Sequence, residues 1–214
     1  MRIAVIGTGM VGRTLAAGLA RIGHDVVVGT RDPDATRARD EWHDSDLQLV
    51  RYADAGTNAD LVINATNGAG SLAALQEVGA GALAGKVVLD MSNPLDTTRG
   101  FPPSLFVVNT DSLAEQLQRA FPEARVVKAF NTVTVAVTVD PSRAGGDSTA
   151  FVAGNDPQAR STVVALAREL GWQDVLELGD LSAARAMEMY LPLWLRLFRT
   201  VGTPMVNVKV VHGG

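Results

Sequence analysis

A chain of 214 residues, 47% of them hydrophobic, is long enough to bury a substantial core, as one large domain or one domain with a small appendage. Its 19 basic and 23 acidic residues give a net charge of −4 spread along the chain, which leaves no basic patch and argues against nucleic acid as a partner. With no cysteine and three scattered histidines, His24, His43 and His212, the composition argues against disulfides, a thiol nucleophile and a zinc site.

The first thirty or so residues read strand, glycine turn, helix, strand. The apolar run 2–6 passes directly into Gly7-Thr8-Gly9-Met10-Val11-Gly12, the GxGxxG spacing. In such a turn the first glycine permits the tight exit from the strand, the second lets backbone approach a pyrophosphate, and the third lets the helix pack closely. The diphosphate would rest on free N–H groups at the helix N-terminus. An amphipathic helix is expected over 10–22 and a second apolar strand over 25–29. At the end of that strand an NAD site usually carries Asp or Glu for the ribose 2′-hydroxyl. Here stand Gly29, Thr30 and Arg31. A hydroxyl and a guanidinium fork suit a 2′-phosphate, which an acid would repel, so NADP(H) is favoured over NAD(H). Arg37 is a candidate second cation. The opening MRIAVIG enters a core strand at once, so no signal peptide is expected.

Asp32 and Pro33 offer an N-cap and a first-turn proline for a polar helix over 33–42 on the outer face. A strand over 47–52, a short connector or helix over 53–59 and a buried strand over 60–65 follow. Strands of a parallel sheet deliver their carboxyl ends to the ligand crevice, so Ala65, Thr66 and Asn67 should lie along the cofactor, before a helix over 71–78. The strand 87–90 ends in Met91-Ser92-Asn93-Pro94-Leu95, a candidate second wall, and 97–103 reads as loop. Ser112-Leu113-Ala114-Glu115 is a capping box that opens a helix ending near Phe121-Pro122. The strand 125–129 leads into Phe130-Asn131-Thr132. Alternating strands and helices call for right-handed crossovers and a Rossmann-type, doubly wound α/β fold with a mainly parallel sheet.

After Asp140 the pattern changes. Residues 141–147 read as a polar linker, 149–153 as a strand, 156–170 as a capped helix and 175–178 as a strand. A last helix over 181–201 and a terminal strand over 206–211 complete a small C-terminal α/β appendage. The expected division is thus an NADP-binding domain over 1–140 and a smaller portion over 147–214. The apolar stretch 189–201 is interrupted by Pro192, Arg196 and Arg199 and is too short to span a bilayer, so a soluble cytoplasmic protein is the expectation. Arg185 and Glu188, three apart, read as a structural pair, and Lys128 as a structural or surface lysine. The run from Tyr190 to Phe198 is apolar around most of its circumference, which calls for a second burial surface and hence a homodimer.

With these segments in view the chain resembles the coenzyme F420-dependent NADP oxidoreductases, whose fold also serves as the NADPH domain of some membrane metalloreductases. GTGMVG, VVGTR, GKVVLDMSNPL, VVKAFNT, VAGND and GDLSAAR followed by Glu188 are similar to that family's segments, in order and over nearly the whole length. The resemblance implies that Gly7, Thr8, Gly9, Met10 and Val11 hold the pyrophosphate and that Thr30 and Arg31 hold the 2′-phosphate. It implies that Ala65, Thr66, Asn67, Asn93 and Pro94 line the ribose and nicotinamide, with Asn131 and Ala136 near the ring. The chain departs from the family at Ala35, where a basic residue is common. The 3-hydroxyacid dehydrogenase type shares the glycine half, but its long helical substrate domain does not fit in this tail.

The implied chemistry is direct hydride transfer between NADPH and a deazaflavin, which needs stacked rings and exclusion of water but no general acid or base. The acceptor pocket is expected to be apolar, formed by 131–137 and by Met187, Tyr190, Leu191 and Trp194. Two other readings keep the nucleotide site: a reductase of a flavin, quinone or ferric chelate, and a non-catalytic sensor of NADPH.

Overall fold

Strand β1 (Arg2–Ile6) is apolar at every position after the first, and such a run is satisfied only where both faces of a sheet are covered. The computed structural model describes residues 1–213. In it the chain continues through β2 (Asp25–Thr30), β3 (Gln48–Arg51), β4 (Leu61–Asn64) and β5 (Val87–Asp90). A small antiparallel pair, β6 (Leu95–Asp96) and β7 (Ser104–Leu105), precedes β8 (Arg125–Ala129), β9 (Thr149–Gly154) and β10 (Asp174–Glu177). Eight of these form one sheet in the order β10-β9-β8-β5-β4-β1-β2-β3. All its pairings are parallel except β8 with β9. The Rossmann-type, mainly parallel α/β fold is therefore the observed one, and the strands of the 147–214 portion extend the same sheet.

The helices are α1 (Met10–Arg21), α2 (Pro33–Arg37), α3 (Tyr52–Ala55), α4 (Gly68–Val78), α5 (Ala80–Leu83), α6 (Leu113–Ala120), α7 (Val135–Thr138), α8 (Pro157–Glu169), α9 (Ala184–Met189) and α10 (Leu191–Val201). Strand alternation divides the core into two layers. Ile3 and Val5 of β1 face Leu15 and Leu19 of α1, Val163 and Leu166 of α8, and the indoles of Trp42 and Trp172. Ala4 and Ile6 face the opposite layer, with Leu75 of α4 and Leu117 of α6. Each fully buried Leu or Ile contributes about 1.5–3 kcal/mol by leaving water. Among the described residues no helix is long and apolar enough to cross a membrane.

Three expected elements differ. The helix over 33–42 stops at Arg37, and Asp40–Trp42 forms a separate 3-10 turn, because Trp42 turns inward and is completely buried. Burial of an indole outweighs a few more exposed helical hydrogen bonds. The last helix is divided at Tyr190 into α9 and α10, since Pro192 in the first turn of α10 has no N–H to continue the ladder. Residues 206–211 form no strand. They are tied to the start of β9 by separate bonds, from the Thr149 amide to the Val208 carbonyl (2.9 Å), from the Val210 amide to the Thr149 hydroxyl (3.0 Å) and from the Asn207 side-chain amide to the Thr149 carbonyl (3.2 Å).

Candidate functional site

The glycine turn is built around close backbone contact. Gly7 has φ of 121°, a value side chains rarely tolerate, and its amide donates to the Gly29 carbonyl (3.2 Å). A Cβ on Gly12 would stand 2.0 Å from the Gly7 carbonyl oxygen, so α1 seats directly on the turn. A Cβ on Gly9 would meet nothing within 4 Å, and Gly9 caps α1 with no side chain and no acid in the first turn. The open face above Gly9 thus looks onto unpaired helix amides, the arrangement that receives a diphosphate. Met10 is 67% exposed and Val11 packs on the core, so their backbone and not their side chains faces that opening.

A cleft of about 380 Å³ runs along the turn. Gly7, Thr8, Gly9, Arg31, Ala65, Thr66 and Asn67 line it, as the strand ends require. Tyr52, Gly70, Ala73, Ala74 and Glu77 complete its far wall, and sequence reasoning missed them. The signal was present in the small residues at 70, 73 and 74, which let the cleft run along α4. Burial pushes the Tyr52 phenol above its ordinary value, with Arg31 opposing. A second cavity of about 420 Å³ opens where β2 ends, lined by Thr8, Thr30, Arg31, Asp32, Ala35, Thr36, Arg39 and Tyr52.

Arg37 is not part of either cavity. Its guanidinium donates to the carbonyls of Trp42, Ser45 and Leu47 and closes the loop beneath the 3-10 turn. The cation that joins Arg31 in lining the second cavity is Arg39, which sequence reasoning passed over. The Thr30 hydroxyl is buried and hydrogen-bonded to that of Thr36 (2.8 Å).

Asn93, Pro94, Asn131 and Ala136 line neither cavity. Asn93 and Asn131 bind each other reciprocally: the Asn93 amide donates to the Asn131 carbonyl and the Asn131 amide to Asn93 Oδ1, both at 3.0 Å. Asn131 also donates to the Met187 carbonyl (3.0 Å), which ties α9 to the end of β8. Its Oδ1 is buried without a protein partner. Such an orphaned acceptor suits a donor such as a carboxamide N–H. The backbone just before it is strained, with Phe130 at φ of 60°. Pro94 is buried, its carbonyl accepting from the Phe106 amide, and Ala136 is half-buried on α7. A Cβ on Gly68 would stand 2.0 Å from the Asn93 carbonyl oxygen, so the β4 and β5 loops press together here.

Beneath this wall lies a buried polar network. Lys128 Nζ reaches Asp90 Oδ2 at 2.7 Å, Glu188 Oε1 at 2.8 Å and the Ser92 carbonyl at 2.5 Å, with both carboxylates and the ammonium sealed from water. Asp90 Oδ1 accepts from the Asn64 amide and the Ser92 hydroxyl, and Asn64 in turn accepts from Thr66 at the floor of the cleft. Glu188 accepts from the first amides of α6, Leu113 (2.9 Å) and Ala114 (3.2 Å). Burial alone would lower the Lys128 pKa, but Asp90 and Glu188 outweigh it and hold the ammonium above its ordinary value. Lys128 is structural and wholly interior. Arg185 and Glu188 do not pair: Arg185 grips Glu115 of α6 with two bonds (2.9 and 2.6 Å) while Glu188 points inward.

Comparison with known proteins fits this geometry. The family model for coenzyme F420-dependent NADP oxidoreductases matches residues 2–94. A crystal structure of an Arthrobacter sp. FB24 protein, provisionally named an F420-dependent NADP reductase, shares 52% identity over 99% of this chain and 100% of its own, with a TM-score of 0.95. This chain belongs to the F420-dependent NADP oxidoreductase family. The F420-dependent NADP reductase of Methanocaldococcus jannaschii is 29% identical over 95% of the chain and 96% of its own length. Human metalloreductase STEAP2 is 32% identical over 95% of the chain, which spans only 38% of that relative. The matched stretch, residues 2–94, carries the glycine turn, the end of β2 and Asn93, while Asn131 lies beyond it.

Proposed function

We propose that the protein transfers hydride between NADP(H) and a deazaflavin of the coenzyme F420 type, as a cytoplasmic homodimer. The observation that carries this reading is the cavity at the end of β2, which opens beside the glycine turn and offers two arginines where an NAD site would offer an acid. Bound NADPH would supply the hydride. Gly7 and Gly9 give the diphosphate its approach, Arg31 faces the 2′-phosphate, and the asparagine pair with its free Oδ1 orients the nicotinamide end. The full-length likeness to F420-dependent NADP reductases supports the acceptor. The dimer is supported by α10: Leu193 is exposed, Trp194, Leu195, Leu197 and Phe198 are half-buried, and Leu191 alone is sealed.

The test is anaerobic mixing of NADPH with F420, FMN, a quinone and a ferric chelate, following each acceptor's absorbance. F420 is expected to be reduced fastest. NADPH should bind at least about tenfold tighter than NADH, ~1.4 kcal/mol, and Arg31→Ala should erase most of that difference. Equal affinities in the unmutated protein would sink the cofactor assignment. Binding without turnover of any acceptor would leave a sensor, and preferential reduction of the ferric chelate would replace the deazaflavin.

A further inference from the structure

We infer that Arg39 is a specificity residue of the nucleotide site, a second cation that reads the ribose 2′-phosphate and couples it to the diphosphate turn. The inference rests on the NADP reading above and goes beyond it by naming a second cation for the cavity, which Ala35 lines without charge.

Four observations converge on Arg39. Its side chain lines the cavity at the end of β2 together with Arg31, and the two cavities share Thr8, Arg31 and Tyr52 as a common wall. A group attached to the ribose at the end of β2 therefore enters a cavity that both arginines line. The alternative donors are committed elsewhere: Arg37 to three backbone carbonyls and Thr30 to Thr36. Arg39 is only partly engaged. One Nη2 bond goes to the Thr8 carbonyl (3.1 Å), its Nε is shielded from solvent without a hydrogen bond, and the carboxylate of Glu41 stands 3.7 Å away. An arginine whose Nη1 makes no hydrogen bond, lining one cavity with a second arginine, suits a phosphomonoester, whose oxygens accept several charge-assisted bonds. The acid in the cavity, Asp32, is turned to its own helix, Oδ1 accepting from the Ala35 amide as the N-cap of α2.

The Thr8 carbonyl gives the coupling. It accepts from Arg39 and also from Trp42 Nε1 (3.0 Å), so the segment 39–42 clasps the middle of the glycine turn from outside. Trp42 is buried and fixed, and Arg39 is the adjustable half of the clasp. A phosphate on Arg39 fixes its guanidinium and with it the turn that receives the diphosphate.

The test is calorimetric and independent of turnover: titration of adenosine 2′,5′-bisphosphate and adenosine 5′-monophosphate into the wild type, Arg39→Ala and Glu41→Gln. Arg39→Ala should weaken the bisphosphate at least about tenfold and leave the monophosphate within about twofold. Glu41→Gln, which removes the competing carboxylate, should tighten the bisphosphate alone. Equal weakening of both ligands would show that Arg39 serves only the turn, and unchanged discrimination would show that it does neither; each overturns the inference. Should circular dichroism show Arg39→Ala unfolded, Glu41→Gln decides, and no selective tightening there refutes it. A wild type that does not discriminate the two ligands defeats the NADP reading itself, which separates that failure from a failure of Arg39.

Discussion

Replacing Lys128 by Met tests the buried network most directly. The ammonium contacts Asp90 at 2.7 Å and Glu188 at 2.8 Å, with all three side chains sealed from water. Methionine keeps the volume and removes the charge, which leaves two carboxylates facing each other in a dry site. Removing one partner of a buried pair costs about 3–5 kcal/mol. The Ser92 carbonyl loses its donor as well, adding about 1–3 kcal/mol. A loss of at least about 4 kcal/mol is therefore expected, a large part of the 5–15 kcal/mol that holds a typical domain together. Urea unfolding followed by circular dichroism measures it. The pH dependence carries the diagnosis. In the wild type the raised Lys128 pKa contributes stability that is present below the unfolded-state lysine pKa and lost as pH rises through the folded value. In the variant this contribution is absent, so its stability should no longer fall as pH rises through the folded lysine value. A second change, Glu188→Gln, should restore part of the loss while an amide oxygen still receives the α6 amides. A loss under about 1 kcal/mol, or one independent of pH, would refute the electrostatic account.

The last two glycines of the turn should behave oppositely. Gly12→Ala drives a methyl onto the Gly7 carbonyl and should destabilise by more than about 2 kcal/mol, whereas Gly9→Val should leave melting within about 1 kcal/mol and abolish NADPH binding. Normal calorimetric affinity in a folded Gly9→Val variant would contradict the diphosphate assignment. Light scattering should show a dimer at micromolar concentration, and Trp194→Asp should weaken dimerisation or acceptor turnover while NADPH affinity survives. A monomeric wild type, with full F420 reduction by Trp194→Asp, would remove the role proposed for α10.

The strand–turn–helix–strand start was legible because every feature in it is local: an apolar run, three glycines at fixed spacing, an amphipathic helix. Ser112 was legible for the same reason, its hydroxyl accepting from the Glu115 amide at 3.1 Å. What failed needed tertiary partners. Helical spacing suggested Arg185 with Glu188, but α6 supplied Glu115 to one and β8 supplied Lys128 to the other. Polar periodicity carried the helix on to Trp42 and so placed Arg37 in the cofactor's reach, when the pull of the core on that indole ended the helix and delivered Arg39 instead. Strand direction leaves no trace in side-chain alternation, which is why the reversal of β9 against β8 could be seen only in the structure.

Glu188 also sets a point of completion for the growing chain. It stands 75 residues after Leu113, whose amide it accepts, and follows the last residue of β10. All eight sheet strands are thus synthesised before Lys128 has its second carboxylate or α6 its N-terminal acceptor. Until then the β8 end of the sheet holds a lysine one anion short and a helix start with open amides, a form that proteases and chaperones engage more readily than the sealed molecule. Arrival of α9 closes both defects with a single side chain, so the step that ties α9 to the end of β8 is the same step that seals these polar groups from proteases and chaperones.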